Sequence, residues 1–168
     1  HLVLSTLHTN SAAETVTRLL DMGMDPFNFA DSLLAVLAQR LVRRLCNECR
    51  VAEPMNLALT EELLDDYLHA FPSELQPDRK KLLADWIGRH GRLGQLMHFR
   101  APGCPQCEGK GVRGRVGLHE FMTIPSDLRR LIQTKGRAEL VQQMAQKNGM
   151  LTLRQDGIEK VLAGMTTI

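Results

Sequence analysis

The chain has 168 residues, 43% of them hydrophobic and 4% aromatic, with a formal net charge of +2. That hydrophobic share is ordinary for a folded domain in water, and so small a charge offers no global field to recruit nucleic acid or an anionic lipid surface. No apolar run approaches the ~18–20 residues of a membrane span, and the opening His-Leu-Val-Leu-Ser-Thr has neither the basic start nor the cleavage site of a signal peptide.

Leu2-Val3-Leu4 reads as a short strand buried on both faces. An apolar strand at the first residues is an odd terminus, so we expect the chain to be a piece of something longer. The polar run Ser5 to Asn10 follows, and Ser11-Ala12-Ala13-Glu14 matches the capping box that starts a helix. Val16, Leu19 and Leu20 form its apolar stripe and Gly23 is placed to end it. Strand, polar turn and capped helix make an α/β unit, in which ligands sit beyond the carboxyl ends of strands. His8, Thr9 and Asn10 fall there.

Asp25-Pro26 starts a second helix, along which Phe27, Ala30, Leu33, Leu34 and Leu37 keep helical spacing. Gln39 to Leu45 fits either a helical face carrying Arg40, Arg43 and Arg44 or a strand entering Cys46; we read it as the strand. Leu59–Ala70 and Asp78–His90 carry helical periodicity, punctuated by Phe71-Pro72 and Gln76-Pro77. The Gly88 to Gly94 region reads as a turn and Leu96 to Arg100 as a strand. After Gly109-Lys110-Gly111 come glycine turns, a strand ending near Met122, and helices over Ser126–Thr134, Arg137–Asn148 and Thr152–Ala163. Ser126 is the expected cap of the first, and Gly149 and Gly164 end the other two.

All the cysteines fall in two C-x-x-C knuckles, Cys46-Asn47-Glu48-Cys49 and Cys104-Pro105-Gln106-Cys107. Paired knuckles read as the halves of one tetrahedral four-thiolate site, which suits zinc and leaves no open position for chemistry. Such a structural site supplies on the order of 10 kcal/mol to a fold. The second knuckle and its glycines also match the C-x-x-C-x-G-x-G repeat of J-domain chaperones. That module needs four repeats, and Cys46 to Val51 lacks the glycines.

The motifs together resemble the secretion ATPases that drive type II secretion and type IV pilus assembly. The resemblance rests on His1-Leu2-Val3-Leu4-Ser5-Thr6-Leu7-His8-Thr9-Asn10, on Ala38-Gln39-Arg40-Leu41-Val42-Arg43-Arg44-Leu45-Cys46, on the second knuckle, on Gly111-Val112-Arg113-Gly114-Arg115-Val116-Gly117-Leu118-His119-Glu120 and on Gly149 to Gly157. The insert from about Arg50 to Phe99 is longer than the family usually carries.

The resemblance implies an α/β chain: the end of a RecA-like ATPase core over 1–45, a tetracysteine zinc module over 46–122 with a helical insert at about 50–99, and a small, mostly helical subdomain over 123–168. It implies that His8 and His1 belong to a nucleotide-sensing histidine box. Arg113 and Arg115 are expected to touch nucleotide or a neighbouring subunit, with simple solvation as the alternative. Arg40, Arg43 and Arg44 are balanced between an interface and a solvated face.

The resemblance further implies a homohexameric ring, cytoplasmic and peripheral to the bacterial inner membrane, that works on an inner-membrane platform protein with no nucleic acid involved. No G-x-x-x-x-G-K-[ST] loop occurs in the chain. The family's Walker A and Walker B motifs are expected before residue 1, so ATP and Mg2+ would belong to the parent and this chain should not hydrolyse ATP. The other reading is a stand-alone zinc ribbon that binds protein.

Overall fold

The computed structural model describes residues 1–167. Helices α1 (Ala12–Asp21) and α2 (Pro26–Ser32) lead into strand β1 (Ala35–Leu45), followed by β2 (Val51–Pro54), α3 (Leu57–His69), α4 (Arg79–His90) and β3 (Met97–Arg100). The long strand β4 (Val112–Thr123) and helices α5 (Ser126–Gln133), α6 (Ala138–Lys147) and α7 (Leu153–Leu162) complete the order. β1 pairs with β4, and β2 with β3, in separate two-stranded sheets. The chain is therefore α/β. It divides into two compact units, residues 1–39 with 119–153, and residues 40–118 with 154–168.

In the β1–β4 ladder the Ile124 N–H donates to the Leu34 carbonyl at 3.2 Å and the Cys46 N–H to the Gly111 carbonyl at 2.9 Å. The strands are therefore antiparallel, with one residue more on β4 than on β1 between those bonds. Gly114, at φ 78°, is the residue of β4 in the left-handed region, where a glycine bulge absorbs the extra residue.

The first unit is built on helices. Ser11 accepts the Glu14 N–H at 3.1 Å, while the Glu14 carboxylate reaches back to the Asn10 N–H at 2.9 Å. The expected capping box forms with its return bond one residue early. α1 closes at Gly23 (φ 94°), with Gly23 N–H on the Leu20 carbonyl and Met24 N–H on that of Leu19, the Schellman pairing. Val16 and Leu20 are buried with Phe29, Ala30, Met122, Leu128, Ile132 and Val141 in one core. Each such aliphatic side chain contributes about 1.5–3 kcal/mol by leaving water.

Leu2-Val3-Leu4 corrects one expectation. It forms no strand and is exposed, Leu4 to 89%, because no strand among the described residues runs beside it to complete a hydrogen-bond ladder. α2 is shorter than its apolar spacing suggests. It ends at Ser32, Leu34 and Leu37 are exposed, and Phe29 rather than Phe27 enters the core; β1, paired with β4, takes over at Ala35. Ser126 is the first residue of α5 rather than its cap, that place belonging to Pro125. Gly88 lies inside α4, and the turn falls later, at Leu93 and Gly94.

In the second unit β2 and β3 pair antiparallel, Val51 opposite Arg100 and Pro54 opposite Met97. This hairpin stem was not foreseen for β2, whose four residues are too short to show periodicity. It carries α3 and α4, which bury Leu63, Leu64, Tyr67, Leu82 and Trp86; the Tyr67 and Trp86 rings meet edge to face at 5.2 Å, a favourable arrangement of aromatic quadrupoles. The insert docks on α7. Glu159 accepts from Trp86 Nε1 at 3.1 Å, from Arg89 Nη1 at 2.7 Å and lies 3.1 Å from His90 Nε2, and the buried Gln155 amide donates to the Tyr67 carbonyl at 3.2 Å. Past α7 the chain returns to β1, where the Leu45 N–H donates to the Met165 carbonyl at 2.9 Å and the Thr166 hydroxyl to the Arg43 carbonyl at 2.7 Å.

Candidate metal centre

The two knuckles meet in the second unit. Cys46 leaves β1 with its N–H on the Gly111 carbonyl, and the Arg50 N–H closes the first turn on the Cys46 carbonyl at 3.0 Å. The second knuckle is a single 3-10 turn, Pro105–Cys107. Its return depends on glycine. Gly103 (φ 106°) and Gly111 (φ 70°) are left-handed, and a Cβ on either would sit 2.4 Å from the Gly109 carbonyl oxygen or 2.3 Å from that of Ala101. The glycine spacing around Cys104 and Cys107 is thus a steric requirement.

All four sulfurs lie within 4.8 Å of one another. Sγ–Sγ separations are 3.8 Å for Cys46–Cys104, 3.9 Å for Cys49–Cys107 and 3.8 Å for Cys104–Cys107. A regular tetrahedron with metal–sulfur bonds of about 2.3 Å has edges of about 3.8 Å. The thiols are free, and their spacing fits a zinc-sized ion with four thiolate ligands. Cys46 and Cys107 are buried, Cys49 and Cys104 half-buried.

The thiols are electrostatically unequal. Burial pushes the Cys49 thiol up to about 12, and hydrogen bonding with the Cys104, Cys107 and Cys46 thiols adds to this. For Cys107 burial acts in the same direction, but the Cys104 and Gly111 N–H groups, each 3.2 Å from its sulfur, bring it down to about 6. Of these two sulfurs, Cys107 is the one that carries negative charge first. It accepts the backbone bonds that orient a thiolate toward an ion, as outer-sphere partners do in metal sites. Four sulfur ligands would close the shell of such an ion and leave no open position for chemistry.

The other residues singled out in the sequence lie as follows. His1 and His8 are exposed in the first unit, on a segment without regular secondary structure. The strand-end placement expected for His8 is not realised; its carbonyl instead accepts Arg18 Nη1 at 2.7 Å, on α1. Thr9 and Thr15 hydroxyls pair at 2.6 Å. Arg40, Arg43 and Arg44 are exposed on β1, confirming the strand reading of that segment. Arg113 and Arg115 are exposed on β4; Arg113 donates Nη1 to Gln106 Oε1 at 3.3 Å.

Two residues that organise the units were not singled out. Glu120, 3% exposed, accepts the Ala12 and Leu153 N–H groups. Its parity with buried Met122 across exposed Phe121 is the signal that places it inward. Glu159, the hub between α4 and α7, has no comparable signal in a helix of mixed polarity.

Residues 1–168 match the family model described as "Type II/IV secretion system protein". The chain is 36% identical, over its full length and 16% of the relative's, to the type IV pilus assembly ATPase PilB of Thermus thermophilus. It is 41% identical to the type II secretion system protein E of Pectobacterium carotovorum, over 99% of this chain and 28% of that protein. With the type II secretion system ATPase E of Vibrio cholerae it shares 37% identity, over 100% of this chain and 28% of the relative. The chain thus spans between 16% and 28% of the length of these relatives. An end-to-end match at this identity leaves one conclusion: the chain belongs to the type II/IV secretion system protein family.

Proposed function

We propose that this chain is the C-terminal part of a hexameric ATPase that powers type II protein secretion or type IV pilus assembly from the cytoplasmic face of the bacterial inner membrane. The observation that carries the reading is the match of all 168 residues to the family, with relatives named as ATPases of both machines. A stand-alone zinc ribbon predicts likeness confined to the knuckles, and the likeness runs from end to end.

In this reading Cys46, Cys49, Cys104 and Cys107 hold a structural zinc ion. When bound, zinc contributes cross-linking of the two knuckles and no open coordination position. ATP and Mg2+ are bound by the parent through a phosphate-cradling loop of the kind absent from this sequence. His8, with His1 in the same motif, is the group that senses the nucleotide there. Arg18 orients the backbone of the segment through the His8 carbonyl. Neighbouring ring subunits and an inner-membrane platform protein are the partners.

The test has two parts. The 168-residue chain, purified under reducing conditions, should carry one zinc per chain by elemental analysis and turn over no ATP. The parent enzyme should hydrolyse ATP and lose most of that activity on His8→Ala while retaining its zinc. A metal-free reduced chain, or ATP turnover by these 168 residues alone, defeats the reading.

A further inference from the structure

At its knuckle end the β1–β4 ladder sets two arginines against each other. Counting back from the Cys46–Gly111 bond places Arg44 opposite Arg113, and residues opposite each other in an antiparallel pair share a face. Both side chains are exposed. Both line one open cleft of about 270 Å3, whose other walls are Leu45, Cys46, Asn47 and Glu48.

Like charges directly opposite destabilise a ladder. Elsewhere in the second unit Arg79, Arg89, Arg100 and Arg154 each pair with a carboxylate, while Arg50 donates to the Gly164 carbonyl and Arg50 and Arg92 lie over the Phe99 ring. Arg44 and Arg113 have no ion pair among the described residues. Arg113 instead donates to the Gln106 amide oxygen, which orients its fork without neutralising it. Glu48, the one acid of the lining, pairs with neither. A local rule broken without compensation inside the fold points to a ligand.

We propose that the Arg44–Arg113 cleft binds a phosphate-class oxyanion. Two planar guanidinium forks approaching from neighbouring strands match a tetrahedral anion that offers oxygens to each. A dianion balances both charges, whereas a single carboxylate leaves one uncompensated. Asn47 adds a neutral amide to the wall, and the walls are held by the knuckle turn and by the Cys46–Gly111 bond, so the site is preformed.

The experiment uses the zinc-loaded 168-residue chain and inorganic phosphate, with chloride matching the ionic strength. Saturable amide shifts are expected at Arg44, Asn47 and Arg113, together with a Tm rise of roughly 3–5 °C at tenfold over Kd. Arg44→Gln and Arg113→Gln should each weaken phosphate at least tenfold. Arg44→Gln should also raise the Tm without phosphate, because it relieves the repulsion; an arginine with a merely structural role would lower it. Arg130→Gln, in the first unit, should leave the affinity unchanged. ATP compared with phosphate separates the sources: tighter binding with the same shifts assigns a nucleotide's phosphate chain, equal binding the free ion. Non-saturable shifts, the same loss in Arg130→Gln, or acetate binding as tightly as phosphate overturns the proposal.

Discussion

The Glu120 carboxylate lies 2.7 Å from the backbone nitrogen of Ala12, the first residue of α1, although 108 positions separate the two in sequence. Its other oxygen accepts the N–H of Leu153, the first residue of α7, at 3.3 Å. One buried side chain thus caps two helices. The first turn of a helix presents unpaired N–H groups and a partial positive charge, and a carboxylate there answers both.

Glu120→Ala should therefore lower stability by about 2–3 kcal/mol, since it removes a charged acceptor and leaves buried donors unpaired. Glu120→Gln keeps one acceptor oxygen and should cost about half as much. Urea unfolding followed by circular dichroism reads both. Equal stability of Glu120→Ala and the parent chain would show that water replaces the carboxylate at no cost.

The clasp predicts a pH dependence of metal affinity. Zinc binding needs four thiolates, so each ligand still protonated must release its proton. At pH 7–8 Cys49, pushed up to about 12, gives up a proton on binding, while Cys107, at about 6, is already ionised. As pH falls through 6, Cys107 takes up a proton and adds one more to the number displaced. A competition titration with a chromophoric chelator should show log K falling with decreasing pH, and falling more steeply below about pH 6.

Gly111→Ala tests the backbone of the second knuckle. Its φ of 70° and the Ala101 carbonyl oxygen, which would lie 2.3 Å from an added Cβ, both exclude a side chain. The variant should lose about 1–3 kcal/mol of stability and bind zinc more weakly than the parent chain. Gly88→Ala, with open space around it inside α4, should be neutral or stabilising by up to about 1 kcal/mol.

Glu159 links the insert to α7 and makes that contact acid-sensitive. Burial raises its pKa, but Arg89, His90 and Trp86 outweigh burial and hold the carboxyl below its usual range. A lowered folded pKa means stability that is fully present above the unfolded value of about 4.3 and is lost as pH falls through the folded one. Trp86 fluorescence should report loosening of the insert below about pH 4. In Glu159→Gln that transition should flatten, at the cost of weaker docking at pH 7. Trp86→Ala, which empties a fully buried site, should cost about 3–5 kcal/mol at any pH.

Much of this was legible in local chemistry. The helices of the insert appear within two residues of their expected ends, because Leu63, Tyr67, Leu82 and Trp86 repeat at helical spacing between proline stops. The clasp was legible because metal ligation demands particular residue types at short spacings. Four cysteines in two C-x-x-C pairs leave few other arrangements, and the observed sulfur separations follow.

Where sequence reasoning missed, the deciding force was long-range. Leu2-Val3-Leu4 has the composition of a strand, but a strand exists only where a partner supplies its ladder. Phe27 and Phe29 are equally apolar, and only the packing of α2 on α5 selects Phe29 for the core. Glu120, Glu159 and the opposition of Arg44 to Arg113 depend on residues many positions away, so no window of sequence contains them. The sequence by itself determined where the helices of the insert lie and which cysteines come together, because both follow from local periodicity and short spacing. Only the tertiary structure decided which carboxylates are buried and which charges face each other, because those depend on how distant strands and helices meet.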